Sequence, residues 1–326
     1  AGLNHNGSLK LAKQLVDAAI EAGCDAVKFQ TFKAESRISK KIKAVKYAET
    51  VIGLEETLFD MFERLAMPFE EQEELFAYAN GKGIEIFSTP FDHESVDFLE
   101  SLGVNLYKIA SMDIVNIPLI RHVSKTGKPI IISTGMSTLG QVEEAVETVR
   151  QEGNQNLMLL HCNSSYPSVP EEMNLRVILN LQQLFDIPVG LSDHTFGLFA
   201  SHTAIAIGAN LIERHFTLDR TFEGPDHILS SEPEEFAELV QIAKRVPAVL
   251  GDGIKRIQPN EYDTLNTQRK SLYAACDIKE GQTINKEMVA IKGPGGGLLP
   301  QYLDIVIGRV ARKDIEADYP IGWDDI

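Results

Sequence analysis

The sequence predicts an α/β chain, a (β/α)8 TIM barrel followed by a small β-rich domain. Three observations lead there. Short, nearly continuous Val/Ile/Leu runs alternate with amphipathic helical stretches, the pattern of strands buried on both faces of a parallel sheet. Nearly every run ends in polar residues, as the carboxyl ends of barrel strands do. After about residue 267 the character changes to short β runs punctuated by Gly and Pro.

Seven runs read as strands: VKFQ (27–30), IEIFST (84–89), LYKIAS (106–111), PIIIST (129–134), LMLLHC (157–162), PVGLSD (188–193) and LIERHF (211–216). Between them, LKLAKQLVDAAIEAG places Leu11, Leu15, Ala18, Ala19 and Ala22 on one stripe, with Gly23 to end the helix. TLGQVEEAVETVRQEG does the same with Val142, Ala145, Val146 and Val149, stopping at Gly153. SSEPEEFAELVQIAKRV opens with Ser231 and Glu234 at capping-box spacing. The chain starts with AGLNHNG running straight into a helix. Such a helix follows a strand, so an eighth strand is expected upstream, its residues truncated from this sequence. Domain limits follow: the barrel over 1–253, a polar linker over 254–267 and the small domain over 268–326. Residues 33–54 read either as a loop over the barrel mouth or as a solvated insertion. A doubly wound open sheet is the alternative, but neither GxGxxG nor GxxxxGK[ST] occurs.

Composition narrows the function classes. At 326 residues with a net charge of −16, the chain is poorly suited to nucleic acid or an anionic membrane surface. The three cysteines, Cys24, Cys162 and Cys276, form no CxxC pair and suit a reducing compartment. No apolar run approaches the roughly 18 residues that span a bilayer, and the cytoplasm is the expected location.

The strand ends carry the chemistry. Lys28 and Gln30 close the first run, Ser88 and Thr89 the second, then Lys108 with Ser111, Ser133 with Thr134, His161 through Ser164 with Tyr166, Ser192 with His194, and Glu213 with His215. A Ser or Thr after a strand is ordinarily a helix N-cap, and Cys162 reads as core. Taken together the set says more. Lysine in an apolar strand is costly unless it faces a cleft or an anion, so Lys28 and Lys108 point to one. Serines on neighbouring strand ends can hold a phosphate and a carboxylate. His194 and His215 end successive strands and can share one divalent metal, with water and substrate oxygen in the open positions. His93, His122 and His202 lie in helical stretches and read as structural.

Nine motifs then carry a family resemblance: GLNHNGSLKLAKQLVDAA, GCDAVKFQTF, FSTPFD, YKIAS, PIIISTGM, LLHCNSSYP, GLSDHT, IERHFT and GPDH. In order and spacing they resemble the sialic acid synthases, which include legionaminate and pseudaminate synthases. KEGQTINKEMVAIKGPGGG resembles their C-terminal antifreeze-like SAF domain, of β-clip type. The resemblance implies condensation of phosphoenolpyruvate with an open-chain N-acylated amino sugar, N-acetylmannosamine or a 2,4-diacetamido trideoxyhexose, with phosphate released by C–O cleavage. It implies Mn2+ or Mg2+ on His194 and His215, and Lys108 beside them in the catalytic set. Lys28, Lys108, Ser111, Ser133, Ser164 and Ser192 match phosphoenolpyruvate contacts, with Asn163 or Ser164 as the phosphate contact in HCNSSYP. Gln30, Tyr166 and Asp226 match the sugar side, Asp113 stands where relatives often carry Glu, and Glu213 joins the substrate-binding set. A domain-swapped homodimer is implied as well. Two departures matter: a glutamate of the family falls just before Ala1, and Gly293 stands where many relatives carry an arginine that reaches the sugar's N-acyl group. Lys292, Arg309 and Arg312 are the neighbours that could replace it.

Two other classes compete. A Schiff-base aldolase would use Lys28 or Lys108 as the nucleophile and need no metal. A non-catalytic polysaccharide- or partner-binding protein would leave the strand-end lysines and histidines replaceable.

Overall fold

Apolar, β-branched runs that water cannot solvate on either face form the centre of the first of two units, Ala1–Gly251 and Asp252–Ile326. The structure, a computed structural model, describes residues 1–40 and 57–326. In the first unit seven parallel strands curl as in a TIM barrel, in sequence order. They are β1 (Ala26–Thr31), β2 (Glu85–Pro90), β3 (Tyr107–Ile109), β4 (Ile130–Ser133), β5 (Leu157–Cys162), β6 (Val189–Asp193) and β7 (Ile212–Arg214). All four residues of β4 and all five of β6 are buried, which explains their lack of polar alternation. Amphipathic helices cover the sheet; the one at Leu9–Glu21 buries Ala12, Leu15, Val16 and Ala19.

Register sets which side chains meet. Ser192 pairs with Glu213 and Asp193 with Arg214 between β6 and β7, while Lys108 pairs with Ile131 between β3 and β4. Ahead of β1, Gly2 forms a parallel bridge to Phe29 and its nitrogen donates to Lys28 O at 3.4 Å. Gly2 therefore stands beside β1 where the end of an eighth strand is expected.

Several elements differ from the sequence reading. The run at 211–216 leaves the ladder after Arg214, because Phe216 turns to bridge Ser231. The run at 106–111 is a strand only over Tyr107–Ile109, and Ser111–Asp113 coil into a 3-10 turn. The capping box before helix Pro233–Leu250 is made by Glu232 and Glu235, one residue later than Ser231 and Glu234. Ser231 is unavailable as a cap, since it pairs with Phe216 and its hydroxyl accepts from Arg214. Part of the expected linker is helical, at Tyr262–Gln268. The segment expected over the mouth at 33–54 falls mostly outside the described residues; Ala34–Arg37 form one helical turn.

The second unit pairs β8 (Ser271–Ala274) with β9 (Val289–Lys292) in antiparallel fashion. Leu272, Ile278, Ile284, Val306, Ile315 and Ile321 form its core. Among the described residues no helix is long and apolar enough to cross a membrane.

Packing between β6 and β7 yields a direct test. A Cβ on Gly190 would lie 2.2 Å from the Leu211 carbonyl oxygen and 2.8 Å from Leu160 Cδ2. Leu211 O already accepts from Leu191 N at 2.8 Å, so the backbone cannot withdraw without loss of that bond. Gly190→Ala should therefore destabilise the chain by about 3 kcal/mol, seen as a lower urea midpoint at unchanged m-value.

Candidate active site

Three charges, one each from β1, β3 and β7, meet. Glu213 lies between two lysines, its Oε2 3.6 Å from Lys28 Nζ and its Oε1 3.8 Å from Lys108 Nζ. Lys108 is almost fully buried; its Nζ donates to Ser133 Oγ at 2.6 Å and to Ile109 O at 3.0 Å. Burial lowers the Lys108 pKa to about 8, with Glu213 opposing the fall and Lys28 adding to it. Burial alone would raise the Glu213 carboxyl, but Lys108, Lys28 and the Ser192 hydroxyl hold it down at about 2. The cluster so formed carries one surplus positive charge and suits an anionic ligand.

Hydroxyls surround it. Ser192 Oγ donates to Glu213 Oε1 at 3.0 Å, and Ser111 Oγ accepts from Gly135 N at 3.0 Å. Gly135, in the turn after β4, lets the hydroxyls converge. A Cβ there would lie 2.1 Å from Ser164 Oγ, 2.8 Å from Ser111 Oγ and 3.2 Å from Cys162 Sγ. Ser133 and Ser192 thus touch the charged trio directly, and Ser111 and Ser164 converge at Gly135, two residues beyond Ser133, donors that a phosphate or carboxylate would use.

The two histidines stand beside this cradle. Their ring centroids are 5.4 Å apart, and the Tyr166 ring lies 4.3 Å from His194, tilted at 45°, and 6.0 Å from His215, perpendicular to it. His194 Nδ1 is 2.9 Å from the Asn163 carbonyl oxygen, an acceptor only, so Nδ1 carries the proton and Nε2 is left as a lone-pair donor. Burial disfavours its charged form, yet the Cys162 thiol and the Asn163 carbonyl raise the His194 pKa overall. His215 goes the other way: burial, then the His194 and Lys28 charges, hold its pKa well below the ordinary value. Its Nδ1 is buried without a hydrogen bond, with Asp226 Oδ2 at 3.5 Å. Burial raises the Asp226 pKa. Among the described residues no group of three or more His, Cys, Asp or Glu side chains forms a metal cage. The donor set instead fits an open site, in which two imidazoles would hold a divalent ion and oxygens of water or ligand would complete the shell.

Both histidines are aimed by one buried ion pair. Asp193 on β6 and Arg214 on β7, each directly preceding a histidine, are bonded through Oδ2 and Nη1. Asp193 Oδ1 also accepts from Thr195 N and Oγ1, both at 2.8 Å. Arg214 donates further to Ser231 Oγ at 2.9 Å and to Thr195 O at 2.7 Å. Every strong donor and acceptor of the pair is engaged, which is what makes a buried ion pair tolerable.

Of the residues expected from sequence, Lys28, Lys108, Ser133, Ser192 and Glu213 form the charged floor, Ser111 and Ser164 face Gly135, and His194, His215, Tyr166 and Asp226 form the adjoining group. Lys28, Gln30, Ser192, His194, Glu213 and His215 line one cavity. Asp113 lies in the 3-10 turn after β3, bonded to Asn116 at 3.1 Å, and burial raises its pKa. Asn163 is not in the cradle by its side chain, which braces its own loop through Ser165 N at 3.0 Å and Glu172 O at 3.4 Å. His93 and His122 stack on each other at 4.5 Å, and His122 Nε2 is 2.7 Å from Asp97. In the second unit Lys292 pairs with Asp318, and Arg309 lies 5.5 Å from the Trp323 ring. Gly135, Asp193, Arg214 and Arg37 were not singled out from sequence. Only the repeated order of a charged residue before each histidine, DH and RH, hinted at the ion pair.

Two substitutions test this geometry. Gly135→Ala should weaken the binding of inorganic phosphate at least about tenfold by calorimetry, since the methyl displaces two hydroxyls. Arg214→Met should cost about 3–5 kcal/mol in urea unfolding, because it leaves the Asp193 carboxylate buried and unpaired.

Comparison with known proteins identifies the family. Residues 15–255 match the NeuB family and residues 269–326 match the SAF domain. The chain is 40% identical to an N,N'-diacetyllegionaminic acid synthase of Campylobacter jejuni, over 98% of this chain and 96% of that protein. It is 36% identical to a pseudaminic acid synthase of Campylobacter jejuni, over 96% of this chain and 91% of that protein. Among solved structures it resembles a sialic acid synthetase of Leptospira borgpetersenii crystallised with citrate, at 35% identity and a TM-score of 0.73, covering 81% of this chain and 88% of that one. With most of its barrel matched to one family and relatives this similar along nearly their whole length, the chain belongs to the NeuB family and ends in a SAF domain.

Proposed function

We propose that the chain condenses phosphoenolpyruvate with an open-chain N-acylated amino sugar to form a nonulosonic acid. The observation that carries the reading is the juxtaposition of an anion cradle, Lys28 and Lys108 with four serines, and an open pair of imidazoles, His194 and His215. The relatives' names, legionaminic and pseudaminic acid synthase, support the product class.

The residues divide the work. Lys28, Lys108 and the serine hydroxyls hold the phosphate and carboxylate of phosphoenolpyruvate, and Glu213 keeps the two lysines together before the ligand arrives. Gln30, Asp113, Tyr166 and Asp226 bind the sugar. C3 of the enol phosphate attacks the aldehyde carbon, and the aldehyde oxygen becomes a hydroxyl by taking a proton. Water adds at the resulting cationic C2 and gives up its own proton, with Asp226 the carboxylate nearest His215. The C2–O bond to phosphate then breaks as the C2 hydroxyl gives its proton to the departing phosphate, leaving a ketone at C2. A divalent ion, Mn2+ or Mg2+, bound at His194 Nε2 and His215 would supply Lewis-acid polarisation of the aldehyde. Ordered this way, the lysines and serines align the donor carbon with the aldehyde, the positioning that makes such a condensation effectively intramolecular.

A second copy of the chain is the proposed partner, as a domain-swapped homodimer whose small domain covers the mouth. Exposed apolar side chains support it: Met112, Met136, Phe196 and Phe199 follow β3, β4 and β6 and are 53–77% exposed. Three free cysteines support a cytoplasmic setting.

One observation favours a second reading. A lysine with a pKa of about 8, such as Lys108, is the kind of amine a Schiff-base aldolase uses. Borohydride trapping of a substrate adduct on Lys108 would support it.

Phosphate release from phosphoenolpyruvate distinguishes the two. With one acceptor sugar and Mn2+ it should proceed, and EDTA should stop it. His194→Ala and His215→Ala should each lower turnover by more than about 100-fold, the upper end of the loss seen when only an outer-shell partner is removed. Turnover that survives both EDTA and these substitutions would sink the metal assignment; release with no acceptor tested would sink the condensation.

A further inference from the structure

Arg37 sits in the helical turn Ala34–Arg37 that follows β1; burial disfavours its charge, and the Asp226 and Asp113 carboxylates support it through space. Its guanidinium carbon is instead 4.5 Å from the ring centroid of Phe32 and 4.0 Å from those of Phe62 and Phe91. Phe32 meets Phe62 and Phe91 edge-on, at 84° and 89°, so the three rings form a fixed cage. Within it Arg37 Nε is buried with no hydrogen-bond partner, and Nη1 donates to Gln30 Oε1 at 2.7 Å. A guanidinium between three phenylalanines, spending one donor on a glutamine beside the cavity, is not arranged as a surface charge.

The chemistry of that one bond decides how Gln30 faces the ligand. Arginine has donors only, so the amide end turned to Arg37 has to be the oxygen. The NH2 end of Gln30 is then the one left for the cavity that Gln30 lines with His194 and His215. A glutamine free to flip would offer either a donor or an acceptor; this one is held as a donor. A planar guanidinium stacked on rings suits that task, whereas a lysine on a flexible stem would not fix the angle.

We infer that Arg37 is a specificity-determining positioning residue for the acceptor sugar: it pins Gln30 with its NH2 toward the cavity. The site thereby selects a ligand that presents a carbonyl, hydroxyl or ether oxygen there and disfavours one that presents an ammonium. This rests on the condensation proposed above.

The test is steady-state kinetics on the full chain with both substrates varied. Arg37→Met fills the cage but has no donor. It should raise KM for the acceptor about tenfold, the effect of one hydrogen bond, while KM for phosphoenolpyruvate stays within about twofold. Arg37→Lys should recover part of the loss. Gln30→Glu keeps the partner of Arg37 but offers the cavity an acceptor. It should show the same selective rise and should improve turnover of the corresponding acceptor with a free amine. If Arg37→Met fails to fold, Gln30→Glu decides alone. Wild-type KM for the acceptor in a folded Arg37→Met protein, equal rises in both KM values, or unchanged preference in Gln30→Glu would each overturn the inference. A wild-type chain that releases phosphate with no acceptor would instead remove the condensation, and this inference with it.

Discussion

The buried ion pair between Asp193 and Arg214 is the interaction on which the site depends. It lies across the β6–β7 ladder, one residue before each of the two histidines. Side chains alternate along a strand, so a one-residue slip there would turn His194 or His215 away from the cavity. The pair resists slippage because neither member can move without leaving a charge unpaired in a medium that does not solvate it. Thr195, Ser201 and Ser231 fill the remaining hydrogen-bonding positions and extend the constraint to the loops that follow both strands.

The same economy governs the anion cradle. Two lysines side by side in a barrel floor would repel each other and resist burial. Glu213 stands between them, held ionised by both lysines and by Ser192 on the oxygen that faces Lys108, and keeps the floor assembled. An arriving dianion meets a surplus positive charge and hydroxyls already oriented, so little reorganisation accompanies its binding. Lys108 is the more deeply buried of the two, and its low pKa is the cost of that placement.

The histidine pair shows how identical side chains on adjacent strands acquire different properties. His194 has a carbonyl to fix its tautomer and a thiol to support its charge. His215 has only a carboxylate at 3.5 Å and is pressed toward the neutral form by burial and nearby cations. Nε2 of His194 is the nitrogen free of the Asn163 carbonyl and Nδ1 of His215 has no hydrogen bond, unengaged imidazole nitrogens of the kind an open metal site needs.

Much of this was legible in the sequence. Continuous Val/Ile/Leu runs dictate parallel strands buried on both faces, and parallel order places all their carboxyl ends at one mouth. Lys28, Lys108, Ser192, His194, Glu213 and His215 could therefore be grouped from position alone. The tertiary structure decided the contacts that depend on atoms approaching across different strands. Only there does the bare Cα of Gly135 admit Ser111 and Ser164 together, does Asn163 turn its side chain to its own loop, and does Ser231 give up the helix cap to receive Arg214. Arg37 belongs with these, since its cage is built from three phenylalanines far apart in sequence. Periodicity specifies which face a side chain takes along its own element; it carries no information on the distance of a few ångströms to a neighbour elsewhere in the chain, and hydrogen bonding and steric exclusion act at that distance.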